Sequence, residues 1–281
     1  MVHSSNQGRS LWLIVLLLLL TLACSACASE KKGVGIANLT MPERIEALDV
    51  SWYYTWGALP VEGAPPDKFV PMLRSRAGSI LDEQMKLIRS RGKVPVLLVF
   101  NEPNADSGDD MSVEAILGLW PQISELADQL VSPAPSGSRA TWFAEFYGGM
   151  KDRGLDVDYT AIHLYTPPDP ELFLKKVDAI FRSFGKPIWI TEFAVRDPLA
   201  RRNPGAKNRY SETEVLNFMK VVLPELERRP YVVRYAWFEG GNYDATNEYV
   251  RTSRLFETDG TLTPLGRYYA EFEWPPKNNA D

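Results

Sequence analysis

Val96-Leu97-Leu98-Val99-Phe100-Asn101-Glu102-Pro103-Asn104 is an apolar run that ends on a carboxylate. Five apolar residues in succession, followed by turn-forming sequence, read as a strand buried on both faces. Such strands belong to parallel sheets. A second run, Pro187-Ile188-Trp189-Ile190-Thr191-Glu192-Phe193, has the same form. An ionised carboxylate closing a buried strand is costly unless it meets a partner or faces a cleft. Two of them, on two strands, suggest one shared site. Paired carboxylates across a sugar are the machinery of glycoside hydrolysis.

Outward from these two runs, apolar stretches alternate with helical patterns. Strands are expected near residues 33–37, 50–56, 69–73, 96–100, 130–133, 159–165, 188–192 and 232–238. Between them, residues 42–48 read as a short helix with Thr40 as a possible cap. Leu81, Met85 and Ile88 share the face of a helix over 79–91 that Gly92 stops. Ser112 caps a helix reaching about residue 129, bent at Pro121. Residues 141–153 form a helix ending at Gly154. Asp169 and Pro170 open the best-marked helix, whose stripe runs from Leu172 to Phe184 and which Gly185 ends. Ser211-Glu212-Thr213-Glu214 is a capping box. Thr263-Pro264 opens a last helix.

Strand–helix alternation implies parallel pairing. Eight such units in about 245 residues match an α/β fold of the (β/α)8 TIM-barrel type in a single domain. A doubly wound open sheet is the rival, but no glycine-rich phosphate loop follows the first strand. A barrel requires its site at the carboxyl ends of the strands, where Glu102 and Glu192 stand on strands four and seven. The catalytic domain is expected over 33–275, after a short polar spacer at 29–32 and before a polar tail at 276–281.

Composition narrows the function. The chain has 281 residues, 45% of them hydrophobic, and a net charge of −5, so nucleic acid is a disfavoured partner. Eight Trp and twelve Tyr suit stacking on sugar faces, and equally suit a large core. Of the two histidines, His3 lies in the leader, leaving His163 alone in the folded part. A zinc site built of several histidines is excluded, and no metal or cofactor is expected. Arg9, the apolar stretch from Leu11 to Ala23 and the small residues up to Ala28 form a targeting leader over 1–28. It looks like a bacterial lipoprotein leader, with Cys24 and Cys27 as lipidation candidates. Neither cysteine has the usual Leu three places before it, and Ala26-Cys27-Ala28 also fits a secretory cleavage site. Export is expected either way, with membrane attachment only through an anchor or leader. Both cysteines lie in this segment, so the domain folds without disulfides.

Several segments share a colinear resemblance. They are Val50 to Gly57, Phe69-Val70-Pro71-Met72-Leu73, Phe100-Asn101-Glu102-Pro103 and Leu130 to Ala134. His163-Leu164-Tyr165, Lys186 to Ala194, Tyr235-Ala236-Trp237-Phe238 and Leu262 to Gly266 continue the series. Together they resemble glycoside hydrolase family 128 of clan A, over nearly the whole chain after Gly33. The resemblance implies endo-acting hydrolysis of β-1,3-glucan with retention, Glu102 as acid/base and Glu192 as nucleophile. It implies that Asn101 holds the sugar 2-hydroxyl and that Trp237, ending strand eight, floors the cleavage point.

The residues add their own expectations. Glu102 needs a pKa raised by burial and by the charge on Glu192. His163 and Tyr165 share strand parity and point the same way; Tyr165 could orient the nucleophile or touch the sugar. Tyr54 and Trp56 share parity with Trp52 and would line the sugar if that face points inward, with Trp52 as filling. Trp120, Trp142 and Trp189 read as helix packing. Glu239 could be a third site carboxylate, and Asp106, Asp109 and Asp110 read as a solvated loop. Thr55, Arg74 and Asn104 depart from the family pattern. Arg74 replaces an aromatic platform with a charge and admits an acidic or substituted glycan. The partner is a polysaccharide, expected to be a β-glucan, acted on by a monomer. Another clan A activity and a non-catalytic glycan-binding protein are the alternatives.

Overall fold

The computed structural model of the protein describes residues 29–37, 41–75, 79–105, 108–203, 205–238 and 247–275. The leader with Cys24 and Cys27, Thr40, Asp106, Glu239 and the tail from 276 lie outside the described residues.

All strand pairs are parallel, as strand–helix alternation demands. The strands are β1 (Lys32–Gly35), β2 (Trp52–Tyr54), β3 (Met72–Leu73), β4 (Val94–Val99), β5 (Ala127–Val131), β6 (Thr160–Thr166), β7 (Ile188–Val195) and β8 (Val232–Trp237). They form a five-stranded sheet of order β2-β1-β8-β7-β6 and a three-stranded sheet β3-β4-β5. Single parallel bridges, Tyr53 to Phe69 and Val131 to Tyr159, join the edges of the two sheets. Two apolar clusters follow from strand parity. One, with Trp52, Tyr54, Leu98, Val131, Ala161, Trp189 and Ala236, draws on both sheets. The larger one lies between strands and helices. Trp189 therefore packs inside, edge-on to Trp52 at 5.1 Å, and not against helices as expected.

The helices are α1 (Pro42–Ala47), α2 (Ser79–Arg91), α3 (Val113–Ser124), α4 (Ala140–Asp152), α5 (Pro170–Phe184), α6 (Pro198–Arg202), α7 (Glu212–Arg228) and α8 (Pro264–Glu271). Their ends follow local chemistry. Ser112, Asp169 and Thr263 accept from the first-turn amides of α3, α5 and α8, and Ser211 with Glu214 completes the capping box of α7. Gly185 ends α5 at φ 69°. Among the described residues, no helix is long and apolar enough to cross a membrane.

Three boundaries differ from the sequence reading. The helix α3 stops at Ser124 instead of near residue 129, because residues 127–131 pair with β4. The strand β7 continues to Val195, so Glu192 sits within it and does not close it. Residues 29–32 are no spacer. Ser29 and Lys32 are buried. Lys31 Nζ donates to the carbonyls of Leu226, Glu227 and Arg229 at the end of α7. Lys32 Nζ donates to those of Tyr269, Ala270 and Phe272 at the end of α8. Two cations thus satisfy the orphan carbonyls of two helix ends.

Candidate active site

A cleft of about 510 Å³ opens at the carboxyl ends of the strands. Glu102, Glu192, Asn101, Trp56 and Tyr165 line it, as the sequence suggested, together with Arg74, Ser136, Arg196, Arg201, Phe238 and Tyr249.

Backbone irregularities aim the carboxylates. Leu98 faces the inner cluster and Val99 the outer one. Phe100 has φ 53° and Glu102 φ 46°, both in the left-handed region that costs a non-glycine residue about 1 kcal/mol. Phe100 thereby stays in the outer core, while Asn101 and Glu102 both face the cleft. The turn after them is clamped. Asp109 accepts from the Asn101 amide at 2.6 Å and from Arg74 Nε at 3.1 Å, with its side chain fully buried. Asp109 is therefore a structural anchor, not part of a solvated loop. It also takes the charge of Arg74. Gly108 is required here, because a Cβ would lie 2.1 Å from the Glu102 carbonyl oxygen.

On β7 a register slip does the same work. Ile162 of β6 pairs with Ile190, but His163 pairs with Glu192. Trp189 lies inside, and Phe193 packs outward on Phe173 and Trp237. Skipping one residue lets Glu192, three places after Trp189, face the cleft too.

His163 joins the two carboxylates. Its Nδ1 lies 3.0 Å from Glu102 Oε1 and 3.3 Å from Glu192 Oε2. Ligand atoms of Glu102, His163 and Glu192 all fall within 4.8 Å of one another. Such a group could hold a metal ion, although a protonated Nδ1 already serves both carboxylates. Glu192 also accepts from Trp56 Nε1 at 2.9 Å and from the Tyr165 hydroxyl at 2.6 Å. Trp56 takes φ 50° to reach it.

Charges settle accordingly. Burial would raise the Glu102 carboxyl, but the hydrogen bond and charge of His163, with Ser136 and Arg201, outweigh it and hold it below its ordinary value. At Glu192 burial prevails, aided by the charge of Glu102, and its carboxyl rises despite His163, Tyr165 and Trp56. Burial would lower His163, yet the two glutamates hold it above its ordinary value. The order is the reverse of the expectation that Glu102 carries the raised value. Glu192 is the more deeply buried, with 7% side-chain exposure against 19%, and His163 stands closer to Glu102.

Three expected sugar contacts need correction. Tyr54 is fully buried beneath Trp56, ring centroids 4.7 Å apart, and its hydroxyl donates to the Thr191 carbonyl at the register slip. It braces the site from below. His163 is also fully buried and reaches the carboxylates, not the cleft surface. Trp237 faces the helices, with Nε1 on the Ser253 carbonyl at 2.7 Å and its ring 4.9 Å from Phe193. Parity explains it. Tyr235, on the same face, bonds Glu227 of α7, whereas Arg234 and Ala236 point inward. Phe238 inherits the inward face and stands edge-on to Trp56 and Tyr165, at 6.1 and 5.5 Å. Small Ala236 beside bulky Trp237 was the available signal. Arg196 and Arg201 were not anticipated and carry no motif.

A family model described as glycosyl hydrolase catalytic core matches residues 36–269. The chain belongs to that family. It is 25% identical over 229 residues to alkali-sensitive linkage protein 1 of Schizosaccharomyces pombe, covering 78% of this chain and 40% of that protein. The chain thus spans less than half the length of that relative. Its fold is similar to a family 128 subgroup II endo-β-1,3-glucanase of Sorangium cellulosum, with TM-score 0.70 and 28% identity over 86% of this chain and 98% of the other. A subgroup I endo-β-1,3-glucanase of Amycolatopsis mediterranei, solved with laminaritriose and laminaribiose, gives 0.66 and 28% over 80% and 97%. A subgroup V exo-β-1,3-glucanase of Cryptococcus neoformans gives 0.70 and 26% over 85% and 98%. The family 128 resemblance seen in the sequence thus extends to the fold of this glycosyl hydrolase core.

Proposed function

We propose that this protein hydrolyses β-1,3-glucan within the chain and with retention, Glu102 acting as acid/base and Glu192 as nucleophile. One observation carries the proposal: the two carboxylates stand together in the cleft, each within reach of one imidazole nitrogen and with oxygens no more than 4.8 Å apart. Retaining enzymes hold their carboxyl groups about 5–5.5 Å apart, whereas inverting ones need roughly 6.5–9.5 Å for an intervening water. The similarity to family 128 β-1,3-glucanases supports the substrate.

We place the resting acid proton on His163, which the two glutamates hold above its ordinary value. Glu102 is the more open of the two carboxyls, so a bound sugar desolvates it most and raises its pKa. The imidazolium then passes its Nδ1 proton to Glu102 Oε1. Glu102 delivers that proton to the leaving glycosidic oxygen while Glu192 bonds to the anomeric carbon. In the second step Glu102 takes a proton from water, whose oxygen displaces Glu192. Trp56 and Tyr165 donate to Glu192 and fix its attacking lone pair. Asn101, whose Oδ1 lacks a partner among the described residues, holds a sugar hydroxyl.

The same proposal takes the two sheets as one closed (β/α)8 barrel, sealed at the Tyr53–Phe69 and Val131–Tyr159 bridges. It takes residues 33–275 as the catalytic domain of an exported monomer, with Cys24 or Cys27 as the lipid acceptor. A polysaccharide panel tests the chemistry. Wild type should release reducing ends from β-1,3-glucan, and Glu102→Gln and Glu192→Ala should not. Activity on mannan or β-1,4-glucan alone refutes the substrate, and binding without product refutes the catalysis.

A further inference from the structure

The wall of the cleft beyond β7 is cationic. Arg196 and Arg201 both line it, five residues apart across the start of α6. Arg196 is half-buried, with its guanidinium 4.9 Å over the ring of Tyr165, the residue whose hydroxyl holds Glu192. The charge of Arg201 reaches Glu102 and also opposes that of Arg196.

Neither guanidinium has an ion-pair or hydrogen-bond partner among the described residues. The nearby acids are already served. Glu192 is held by Trp56, Tyr165 and His163, and Glu102 by His163 and Ser136. Arg74, on the far wall, is bound to Asp109. Two adjacent like charges, one of them half-buried, destabilise each other; the charge of Glu102 offsets part of this without a direct contact, and a ligand anion would meet both forks. A neutral sugar offers hydroxyls, which any donor could meet. The planar guanidinium fork matches an oxyanion in two places at once.

We infer that Arg196 and Arg201 form an anion-binding subsite, and that the glucan taken by this cleft carries a carboxylate, sulfate or phosphate group on a sugar bound beside Glu102. The inference rests on the assignment as a glucan hydrolase and narrows its substrate. It also moves the cationic specificity from Arg74, which the sequence singled out, to the opposite wall.

The test compares kcat/KM on neutral linear β-1,3-glucan with the same backbone carboxymethylated, sulfated or phosphorylated to low substitution. Wild type should favour one charged polymer about tenfold or more, as expected for a charge-assisted paired contact. The arm that shows the preference names the anion. The preference should fall about tenfold in Arg201→Gln and shrink as salt approaches ~0.5 M. Arg201 is exposed, so its replacement is the safer variant for folding; Arg196→Gln is the second. A wild type that favours the neutral polymer, or shows no preference in every arm, overturns the inference and leaves the β-1,3-glucanase assignment standing. A preference unchanged in both variants also overturns it. If no polymer is cleaved, the glucanase assignment fails. Affinity electrophoresis of the Glu102→Gln protein then decides the subsite alone. Retardation by a charged polymer that Arg201→Gln abolishes supports it, and absence of such retardation refutes it.

Discussion

Tyr165→Phe isolates the hydroxyl that holds Glu192. The ring remains, and with it the stacking of Arg196 and the edge contact of Phe238. What disappears is one donor at 2.6 Å from a carboxylate that burial already pushes towards its neutral form. A hydrogen bond to a charged group contributes about 1.5–3 kcal/mol. That range corresponds to a loss of roughly ten- to a hundredfold in kcat/KM where ionised Glu192 limits the rate. The sign of the pH effect follows. The lost donor favoured the ionised form, so Glu192 titrates higher in the variant and the acid limb of the kcat/KM profile moves to higher pH. Reducing-end release from β-1,3-glucan across pH, with circular dichroism to confirm folding, measures both. A folded variant with an unmoved acid limb, or one changed only in KM, refutes the role given to Tyr165.

Phe238→Ala should raise KM about fivefold to tenfold by removing an aromatic contact from the cleft. Trp237→Phe should leave KM unchanged and cost about 1–3 kcal/mol of stability, because the Ser253 carbonyl loses its buried donor; denaturant titration and kinetics together check the pair. Asp197 caps α6 and accepts three hydrogen bonds from the Arg209 side chain, and these hold its carboxyl far below the usual range. Asp197→Asn should cost about 1–2 kcal/mol at neutral pH, since Arg209 is half exposed. A carboxyl depressed in the folded state stabilises it fully above the unfolded pKa near 3.9 and loses that contribution below it. The difference in melting temperature between wild type and variant should therefore narrow only as pH falls under about 4. Gly108→Ala sets a Cβ against the backbone of Glu102 and should lower kcat more than tenfold through misplacement of the acid; an unchanged kcat would show that the loop can yield.

What the sequence made legible was local. The caps at Ser112, Asp169, Ser211 and Thr263 and the stop at Gly185 depend on side chains within one turn, and they stand where expected. The parallel strand order followed from alternation, and the two glutamates from their cost at buried strands. The rest was set by partners distant in the chain. No residue near Glu192 announces that β7 skips a position against β6. The apolar run around Trp189 does not say which face turns inward, and the cleft position of Trp237 rests on the family resemblance, which β8 parity overrides. The left-handed turns at Phe100 and Glu102 depend on Asp109, which reads as solvated loop in the sequence, and on Gly108, which carries no signal there. Arg196 and Arg201 follow a strand whose true end lies three residues beyond the expected one.

The two lysines that seat residues 31 and 32 against the ends of α7 and α8 have a mechanical consequence. They lie just before and at the start of β1, at the pole opposite the carboxyl ends of the strands. A lipid on Cys27 would leave Ala28 as the whole tether between the anchor and the buried Ser29, and one on Cys24 would leave four residues. With so short a leash the body could neither roll nor reach back to the bilayer. The cleft would be presented outward, towards polymer arriving from the surroundings and away from anything lying flat on the membrane.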